Sequence, residues 1–304
     1  MKTLVRASLI LVAVLIAAGF AFSIIAGLFF SQDIRNFFSS GNTQREGIEK
    51  TITMPASDIK TLNIDLVNAN ITIVTADTDK ATIVYKQFED EKIEELNSNG
   101  TFGLKEEQKF TFFFFNFKNL FRNNAHPITI TLPSSVKIET ILSIVNGKID
   151  ADKSAYTNVR INSVNSSIIL SDIVSDTDIY TEGVNGEIRF TNVTAKNKLT
   201  MKTVNGAINA DNIAAGETYC NTVNGGIKTT NILCPNIRCE TVNGGISASI
   251  YGEMNNYNIK FNSVNGNIYI GGSKYGKDID INTNNTNKIK LNTINGKADL
   301  SFIK

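Results

Sequence analysis

Residues able to carry out acid–base or metal chemistry are few and dispersed in this 304-residue chain. His126 is the single histidine, so no histidine pair exists to hold a metal ion. The acidic candidates for a carbohydrate-cleaving groove are Asp150, Asp152, Asp172 and Asp211, but they do not recur at one outward position of neighbouring repeats. We therefore predict no catalytic residues, no metal site, no cofactor and no enzyme, and a polysaccharide-active enzyme is the least favoured function.

Other motifs with a chemical signature are missing too. The sequence contains no Ser-His-Asp arrangement, no phosphate-binding glycine loop and no CxxC motif. Its 30 basic and 29 acidic residues give a net charge of +1, and the basic residues are dispersed. This distribution argues against a nucleic-acid partner.

The three cysteines are better explained as core residues than as a reactive site. Cys220 and Cys239 stand one repeat apart at the same inward position, and Cys234 lies in the connection between them. Residues stacked directly on parallel neighbours rarely reach the torsion that a disulfide needs, so we predict free thiols. A disulfide remains the alternative for a domain exposed to an oxidising compartment.

A row of basic and aromatic residues is the main candidate for binding. Five positions before a recurring asparagine stand Arg160, Tyr180, Tyr219, Arg238, Lys260 and Lys290, with Thr200 also in this series. A flat face of this composition suits an anionic glycan or a protein. A solvated sheet face would look similar, because strands favour tyrosine and threonine in any case. Both interpretations stay open.

The recurring asparagine belongs to a phrase of a β-branched residue, asparagine and usually glycine. The phrase is centred on Asn146, Asn165, Asn185, Asn205, Asn224, Asn243, Asn265 and Asn295. Most steps are 19 or 20 residues, and the last two are 22 and 30. A fixed period of this length is typical of a stacked, repeating architecture.

Apolar residues alternate with polar ones on both sides of the phrase. Around Asn205 they are Leu199, Met201, Ile208 and Ala210, which is the pattern of two half-buried strands joined by a turn. One isolated hairpin cannot bury its apolar face, whereas coils stacked about 4.8 Å apart share a continuous core. We therefore predict an all-β fold, a β-solenoid with coils of about 20 residues.

Two expectations concern the corner itself. Asparagine tolerates the left-handed conformation and glycine needs no room for a Cβ atom, so Asn-Gly predicts a tight corner with positive φ. Asparagine side chains stacked on neighbouring coils are expected to hydrogen-bond along the axis as a ladder.

The repeated pattern, with Ile-x-Ile or Leu before Val-Asn-Gly and Ile-x-Ala or Leu after it, resembles a known family. This is the bacterial putative-adhesin family of unknown function, whose members carry Val-Ser-Gly or Val-Asn-Gly coils. The resemblance covers the chain from about Lys60 onward and implies a β-solenoid. It carries over no functional residues, because the family has no assigned binding or catalytic motif.

The N-terminal region predicts a membrane anchor. Ala7 to Phe30 contains no charged residue, and as a helix it would span about 36 Å, enough for a bilayer core of about 30 Å. Lys2 and Arg6 precede it, which keeps the N-terminus cytoplasmic. A cleavable signal peptide ending near Gly19 is the alternative, although its apolar core would be unusually long. We predict a single-pass protein of the cell membrane with the solenoid extracytoplasmic.

The remaining boundaries follow from composition. We assign 1–31 to the cytoplasmic N-terminus and anchor, 32–54 to a linker and 55–304 to the solenoid, with an irregular Phe-rich insertion at about 86–126. Residues 62–73 reproduce the repeat, Ile83 and Tyr85 are expected to begin the next coil, and Asn99-Gly100 is its expected corner. Residues 110–121 contain seven phenylalanines, which either cap the stack or contact a membrane or partner.

Together these features predict a non-enzymatic, membrane-anchored β-solenoid that binds or scaffolds at the bacterial cell envelope, through a glycan or protein partner. The alternative is a regulatory component of an envelope-stress system that acts through a membrane partner. Binding by the solenoid requires the basic and aromatic face, whereas regulation requires the anchor and the Phe-rich segment. The ligand and the oligomeric state are left open.

Overall fold

The computed structural model describes residues 47–88, 92–106 and 125–304. The description below concerns the unit that spans residues 47–304. The predicted anchor, Ala7 to Phe30, and the Phe-rich residues 110–121 lie outside the described residues. Within the described ranges, no helix has the length and apolarity needed to cross a bilayer.

The described residues form twenty strands connected in one sheet, with one short 3-10 turn at Met254–Asn256. The first ten strands are β1 Ile48–Pro55, β2 Thr61–Ala76, β3 Lys80–Gln87, β4 Ile93–Ser98, β5 Thr101–Glu106, β6 His126–Pro133, β7 Ile138–Asp152, β8 Ala155–Ser175, β9 Ile179–Asn185 and β10 Ile188–Lys202. The other ten are β11 Ile208–Thr222, β12 Ile227–Leu233, β13 Asn236–Thr241, β14 Ile246–Tyr251, β15 Tyr257–Ser263, β16 Ile268–Ile270, β17 Ser273–Tyr275, β18 Asp278–Ile281, β19 Asn287–Thr293 and β20 Ala298–Ile303.

Each regular coil has three sides. In the coil of Asn205, residues 199–202 form side A, which precedes the asparagine. Residues 208–211 form side B and residues 213–215 form side C. Successive side chains of a strand point to opposite faces, so every second residue enters the core. The buried apolar residues in this coil are Leu199, Met201, Ile208, Ala210 and Ile213.

Parallel pairing in register stacks equivalent residues of successive coils. One such row joins Ile168, Ile188, Ile208, Ile227 and Ile246, all at most 1% exposed. Burying one isoleucine side chain contributes about 1.5–3 kcal/mol, so a continuous row is a large stabilising element. The predicted all-β solenoid with coils of about 20 residues is confirmed.

The coils at both ends do not follow the order of the sequence. Near the C-terminus, β19 pairs with β13 and β15, and β20 pairs with β14 and β16. The coil of Asn295 therefore lies between those of Asn243 and Asn265. The long last step in the repeat arises because β17 and β18 turn back antiparallel onto β16 and β15.

The N-terminal end has the same design. Strand β2 pairs in parallel with β7 on one side and with β5 and β6 on the other. Antiparallel strands β4 and β3 then pair with β5 and β6. Strands that run antiparallel to the stack thus close the outer coil at each end.

Three expectations for the N-terminal region differ from the structure. Regular structure begins at Ile48 inside the predicted linker, since β1 pairs antiparallel with β3. The predicted insertion contains the β4–β5 hairpin, and Asn99-Gly100 is its turn rather than a coil corner. Ile83 and Tyr85 are buried as expected, but β3 is antiparallel. Alternation reveals which side of a strand is buried, but it does not determine the direction of the partner strand.

Candidate binding face

The predicted basic and aromatic residues lie in one row on the outer surface of side A. We call this the basic–aromatic row. Parallel register joins Arg160, Tyr180, Thr200, Tyr219, Arg238, Lys290 and Lys260 in that order, across seven neighbouring coils. The row is rigid because every member stands on a paired strand.

Cations and tyrosine rings alternate along the middle of side A. The Arg160 Cζ atom lies 4.9 Å from the centroid of the Tyr180 ring, and the Arg238 Cζ atom lies 5.2 Å from the Tyr219 centroid. The Lys202 Nζ atom lies between the rings, 5.2 Å from the Tyr180 centroid and 5.9 Å from the Tyr219 centroid. These distances lie within the range of cation–π attraction.

Lys202 was absent from the predicted row, and the basic–aromatic row includes it from here on. It stands two residues after Thr200, so it projects from the same face of the strand. Thr200 itself is only 4% exposed, between Tyr180 and Tyr219. Alternation predicts two outward positions on this side of each coil, five and three residues before the repeat asparagine, and Lys202 occupies the second of them.

Two glutamates fix the tyrosine hydroxyls. Tyr180 donates to Glu182, and the Tyr219 hydroxyl donates to Glu240 over 3.3 Å. Burial, together with the adjacent glutamate, raises the pKa of each tyrosine to about 12. Both phenols therefore remain neutral hydrogen-bond donors at physiological pH.

The row keeps an excess of positive charge. Arg238 donates to Glu240 over 2.8 Å, and that hydrogen bond raises the pKa of the guanidinium group. Lys290 lies 4.0 Å from the same carboxylate, and Lys260 pairs with Asp280 at 2.8 Å. Arg160 and Lys202 make no ion pair with any described residue, so their charges remain available to a ligand.

The asparagines of the repeat phrase form a second row, at the corner between sides A and B. Each Nδ2 atom donates to an Oδ1 atom of the neighbouring coil over 2.7–2.9 Å. In spatial order the row is Asn68, Asn146, Asn165, Asn185, Asn205, Asn224, Asn243, Asn295 and Asn265. The amides thus form one continuous ladder along the axis.

The expectation that these asparagines adopt positive φ is wrong. None of them is among the residues with left-handed backbone. Where glycine follows, it accommodates the close approach of the neighbouring coil, because a Cβ atom on Gly225 would lie 1.9 Å from the Gly206 carbonyl oxygen. Thr222 reinforces that approach, since its Oγ1 atom donates to the same oxygen over 2.9 Å. Asn165 is followed by Ser166, so glycine is not present in every coil.

Left-handed residues occur at the corner between sides B and C instead. Asp172, Asn192, Asn212 and Asn231 have φ values of 54° to 55°. Asn192 donates to Asp172 and Asn212 to Asn192, both over 2.7 Å. This row was missed in the sequence, although each member stands seven residues after a repeat asparagine and directly before valine or isoleucine.

Comparison with protein families agrees with this repeating geometry. The Toastrack family, DUF4097, matches residues 59–301. The chain belongs to the Toastrack family. The family's function is not known. No curated protein matches the chain.

Several solved structures resemble this Toastrack domain at low sequence identity. A putative adhesin from Bacteroides fragilis NCTC 9343 is 14% identical over 86% of this chain and 100% of its own, with a TM-score of 0.44. A putative adhesin from Parabacteroides merdae ATCC 43184 is 11% identical over 86% of this chain and 99% of its own, with a TM-score of 0.47. A putative lipid binding protein from Parabacteroides distasonis ATCC 8503 is 14% identical over 86% of this chain and 98% of its own, with a TM-score of 0.42. Similarity at this level does not carry a function to this chain.

The acidic candidates of the Toastrack domain do not converge. Asp150 pairs with Lys148 at 2.6 Å, Asp172 accepts from Asn192, and Asp211 accepts from Thr230 and Asn231. The carboxylates of Asp150, Asp172 and Asp211 are thus engaged in separate local contacts, while Asp152 is aligned in register with Ser171 of the neighbouring coil. The described ranges contain no group of three or more His, Cys, Asp or Glu residues able to hold a metal ion.

The remaining reactive side chains lie in the core or at one end. His126 begins β6, and its ring centroid lies 4.5 Å from that of Phe88. Cys220 and Cys239 pair in register on adjacent coils, and all three cysteines are free and buried in the structure. Hydrogen bonding to Cys239 and burial raise the pKa of the Cys220 thiol, which disfavours the reactive thiolate.

Proposed function

We propose that this Toastrack chain is a non-enzymatic binding or scaffolding protein of the bacterial cell envelope. In this proposal, Ala7 to Phe30 anchors it in the cell membrane with the N-terminus in the cytoplasm and the solenoid outside. The observation that supports binding is the basic–aromatic row. The anchor is supported by the sequence of residues 7–30 alone.

The geometry of side A suits binding better than catalysis. Hydrolytic catalysis needs a positioned acid, base, nucleophile or metal, normally in a cleft. The row instead presents cations and neutral phenols on a flat, paired sheet. A surface of this kind binds by many weak, simultaneous contacts, whose effects multiply when the ligand is a polymer.

The regulatory alternative depends on other parts of the chain. It requires the anchor and the Phe-rich residues 110–121, and both lie outside the described residues. No contact of the described residues favours it over binding, so it stays a prediction.

A charge reversal in the row tests the binding function. Full-length protein in detergent is sedimented with isolated cell envelopes, and the bound fraction is measured against envelope concentration. We expect Lys202→Glu to weaken binding about tenfold or more, because it replaces attraction with repulsion at an uncompensated site. The matched control is Lys228→Glu, which reverses an exposed lysine on side B.

Lys228→Glu is expected to bind as the unaltered protein does. Equal binding by both variants and the unaltered protein would refute a role for side A. Protease added to intact protoplasts should meanwhile remove a C-terminal epitope. Complete protection of that epitope, while a known external protein is cut, would refute the extracytoplasmic location.

A further inference from the structure

Side C carries a row of outward residues that is separate from the basic–aromatic row. Six neighbouring coils contribute one residue each, and apart from Thr194 these are apolar or aromatic. In spatial order the side-C row is Val174, Thr194, Ala214, Leu233, Tyr251 and Ile303. Leu233 is 61% exposed, Val174 42% and Tyr251 39%. Single exposed apolar residues are normal on a protein surface, but a contiguous apolar patch marks an interaction surface.

A depression of about 490 Å³ lies beside the most exposed member of this row, Leu233. Ala214, Ala215 and Gly216 line it, between residues of the two neighbouring coils. It arises because Gly216 stands alone where the preceding coil has two residues, Lys196 and Asn197. Side C thus combines a projecting leucine with a space of its own making one coil away.

The side-C row is complementary to a second copy of itself. In an antiparallel pair of stacks, a two-fold axis that passes between Ala214 and Leu233 reverses the order of the row. A smaller side chain then faces a larger one in every pair, and these pairs are Ala214 with Leu233, Thr194 with Tyr251, and Val174 with Ile303. An isologous interface requires this reciprocity. The partner's Leu233 would enter the depression beside Ala214.

Charged residues at one edge of side C match in the same arrangement. Lys196 stands two residues after Thr194, and Glu253 stands two residues after Tyr251, so opposite charges face each other across the interface. Asp176 and Lys304 follow Val174 and Ile303 in the same direction and give a second matched pair. Complementary charges fix the register of an interface.

The alternative two-fold arrangement, with parallel stacks, lacks this match. A two-fold axis along the stack would place Leu233 against the partner's Leu233 and Ala214 against the partner's Ala214. Two large side chains would then collide where two small ones leave the depression unfilled. Size and charge therefore both favour the antiparallel pair.

We propose that the chain forms a homodimer through side C, with the two stacks antiparallel. Three-residue strands on six coils cover about 29 Å by about 10 Å, which is well below the roughly 800 Å² that each partner buries in a standard interface. The adjoining corners with their charges must therefore contribute, and the dimer belongs to the weak class. The basic–aromatic row lies on side A, so a dimer would present two such rows to one ligand. The proposal does not depend on what side A binds.

The oligomeric state of the full-length protein tests this surface. Sedimentation in detergent over a range of concentrations measures the dissociation constant of the dimer. Leu233→Asp should raise that constant about tenfold or more, because it places a charge against an apolar surface. The matched control is Val264→Asp, which alters a valine that is 55% exposed at the corner between sides A and B and should leave the constant unchanged.

Two results of that comparison would refute the homodimer. One is a monomer at every concentration, including the case in which Leu233→Asp weakens sedimentation with envelopes, since side C would then contact a different partner. The other is a dimer that Leu233→Asp and Val264→Asp affect equally, since the contact would then lie elsewhere.

A charge exchange tests the register. Lys196→Glu and Glu253→Lys should each weaken the dimer several-fold, because like charges then face each other. The two changes combined restore opposite charges and should restore most of the affinity. Lys228→Glu on side B is the control and should have no effect. A combined variant that dimerises no better than either single variant would refute the proposed register.

Disulfide trapping tests the antiparallel direction. Thr194 and Tyr251 lie three coils apart in one copy, about 14 Å, whereas they face each other across the proposed interface. A disulfide requires Cβ atoms about 3.5–4.5 Å apart. Thr194→Cys and Tyr251→Cys should therefore cross-link under a mild oxidant when the two variants are mixed, and neither should cross-link alone.

The unaltered protein, whose three cysteines are buried, is the control for trapping and should not cross-link. Cross-linking of each variant with itself would indicate parallel stacks and refute the antiparallel pair. No cross-link in the mixture would refute it as well.

Discussion

Two corners of each coil carry stacked asparagines, and they differ in what the asparagine does. At the corner between sides A and B, asparagines such as Asn205 and Asn224 have ordinary backbone and form the amide ladder. At the corner between sides B and C, Asn192 and Asn212 have left-handed backbone. At the first corner the amide side chain forms the ladder and the adjacent glycine leaves room for the neighbouring coil. The second corner depends on the ability of asparagine to adopt left-handed backbone.

The same dipeptide therefore serves unrelated purposes in one chain. Asn99-Gly100 is a hairpin turn in which both residues have positive φ, 53° and 80°, as tight hairpins require. Asn224-Gly225 forms a stacked corner without positive φ, and its glycine makes room for the neighbouring coil. Asn-Gly in a repeat is thus evidence of close stacking as much as of a turn.

The largest expected effect comes from filling the space at the first corner. Gly225→Ala should destabilise the fold by about 3–5 kcal/mol, because a Cβ atom 1.9 Å from the Gly206 carbonyl oxygen forces the coils apart. Gly226→Ala is the matched control, since its Cβ atom would lie 3.7 Å from the nearest oxygen. Urea unfolding should show a large loss for the first and almost none for the second. Equal effects would mean that close stacking does not explain the glycine.

A pair of substitutions at each corner tests the backbone assignment. Asn212→Val should cost about 1–3 kcal/mol, because a β-branched residue is strained at positive φ. Asn212→Gly should cost less, since glycine relieves that strain. At Asn205 the order should not favour glycine, because no strain exists there to relieve. Thermal unfolding of the valine and glycine variants at Asn212 and at Asn205 gives the order of stability at each position. The same order at both positions would contradict the backbone assignment.

Much of the repeating core was predictable from the sequence, and the reason is its regularity. Period-2 alternation identified Leu199, Met201, Ile208 and Ala210 as inward residues before their partners were known. Stacking at one fixed interval then implied both the amide ladder and the continuous row on side A. Lys202 was missed because only one of the two outward positions of each strand was considered.

The ends of the stack and the corner conformations were less predictable from the sequence. The displacement of β19 between β13 and β15 depends on which strand edges remain unpaired, and this cannot be read from local alternation. The antiparallel direction of β3 was not predicted, for the same reason. The corner at Asn212 has the residue type that tolerates left-handed backbone, but without glycine it gave a weaker signal.

The smallest expected effect concerns the interior of the amide ladder and one of its ends. Asn224 donates to Asn205 and accepts from Asn243, whereas Asn265, the last member, donates to Asn295 and accepts no hydrogen bond among the described residues. A net hydrogen bond contributes about 0.5–1.5 kcal/mol, and the lower part of that range applies because these amides are exposed to water.

Asn224→Ala should therefore cost about 1–2 kcal/mol and Asn265→Ala about 0.5–1 kcal/mol. The ratio is more informative than either value. Water can replace the lost partners at both positions, so a ladder of independent bonds gives a ratio of the Asn224→Ala cost to the Asn265→Ala cost near two to one. If neighbouring amides polarise one another, the interior loss exceeds that ratio, because one deletion interrupts the chain of aligned dipoles. Equal costs in urea unfolding would show that the ladder accompanies the stacking of the coils without stabilising it.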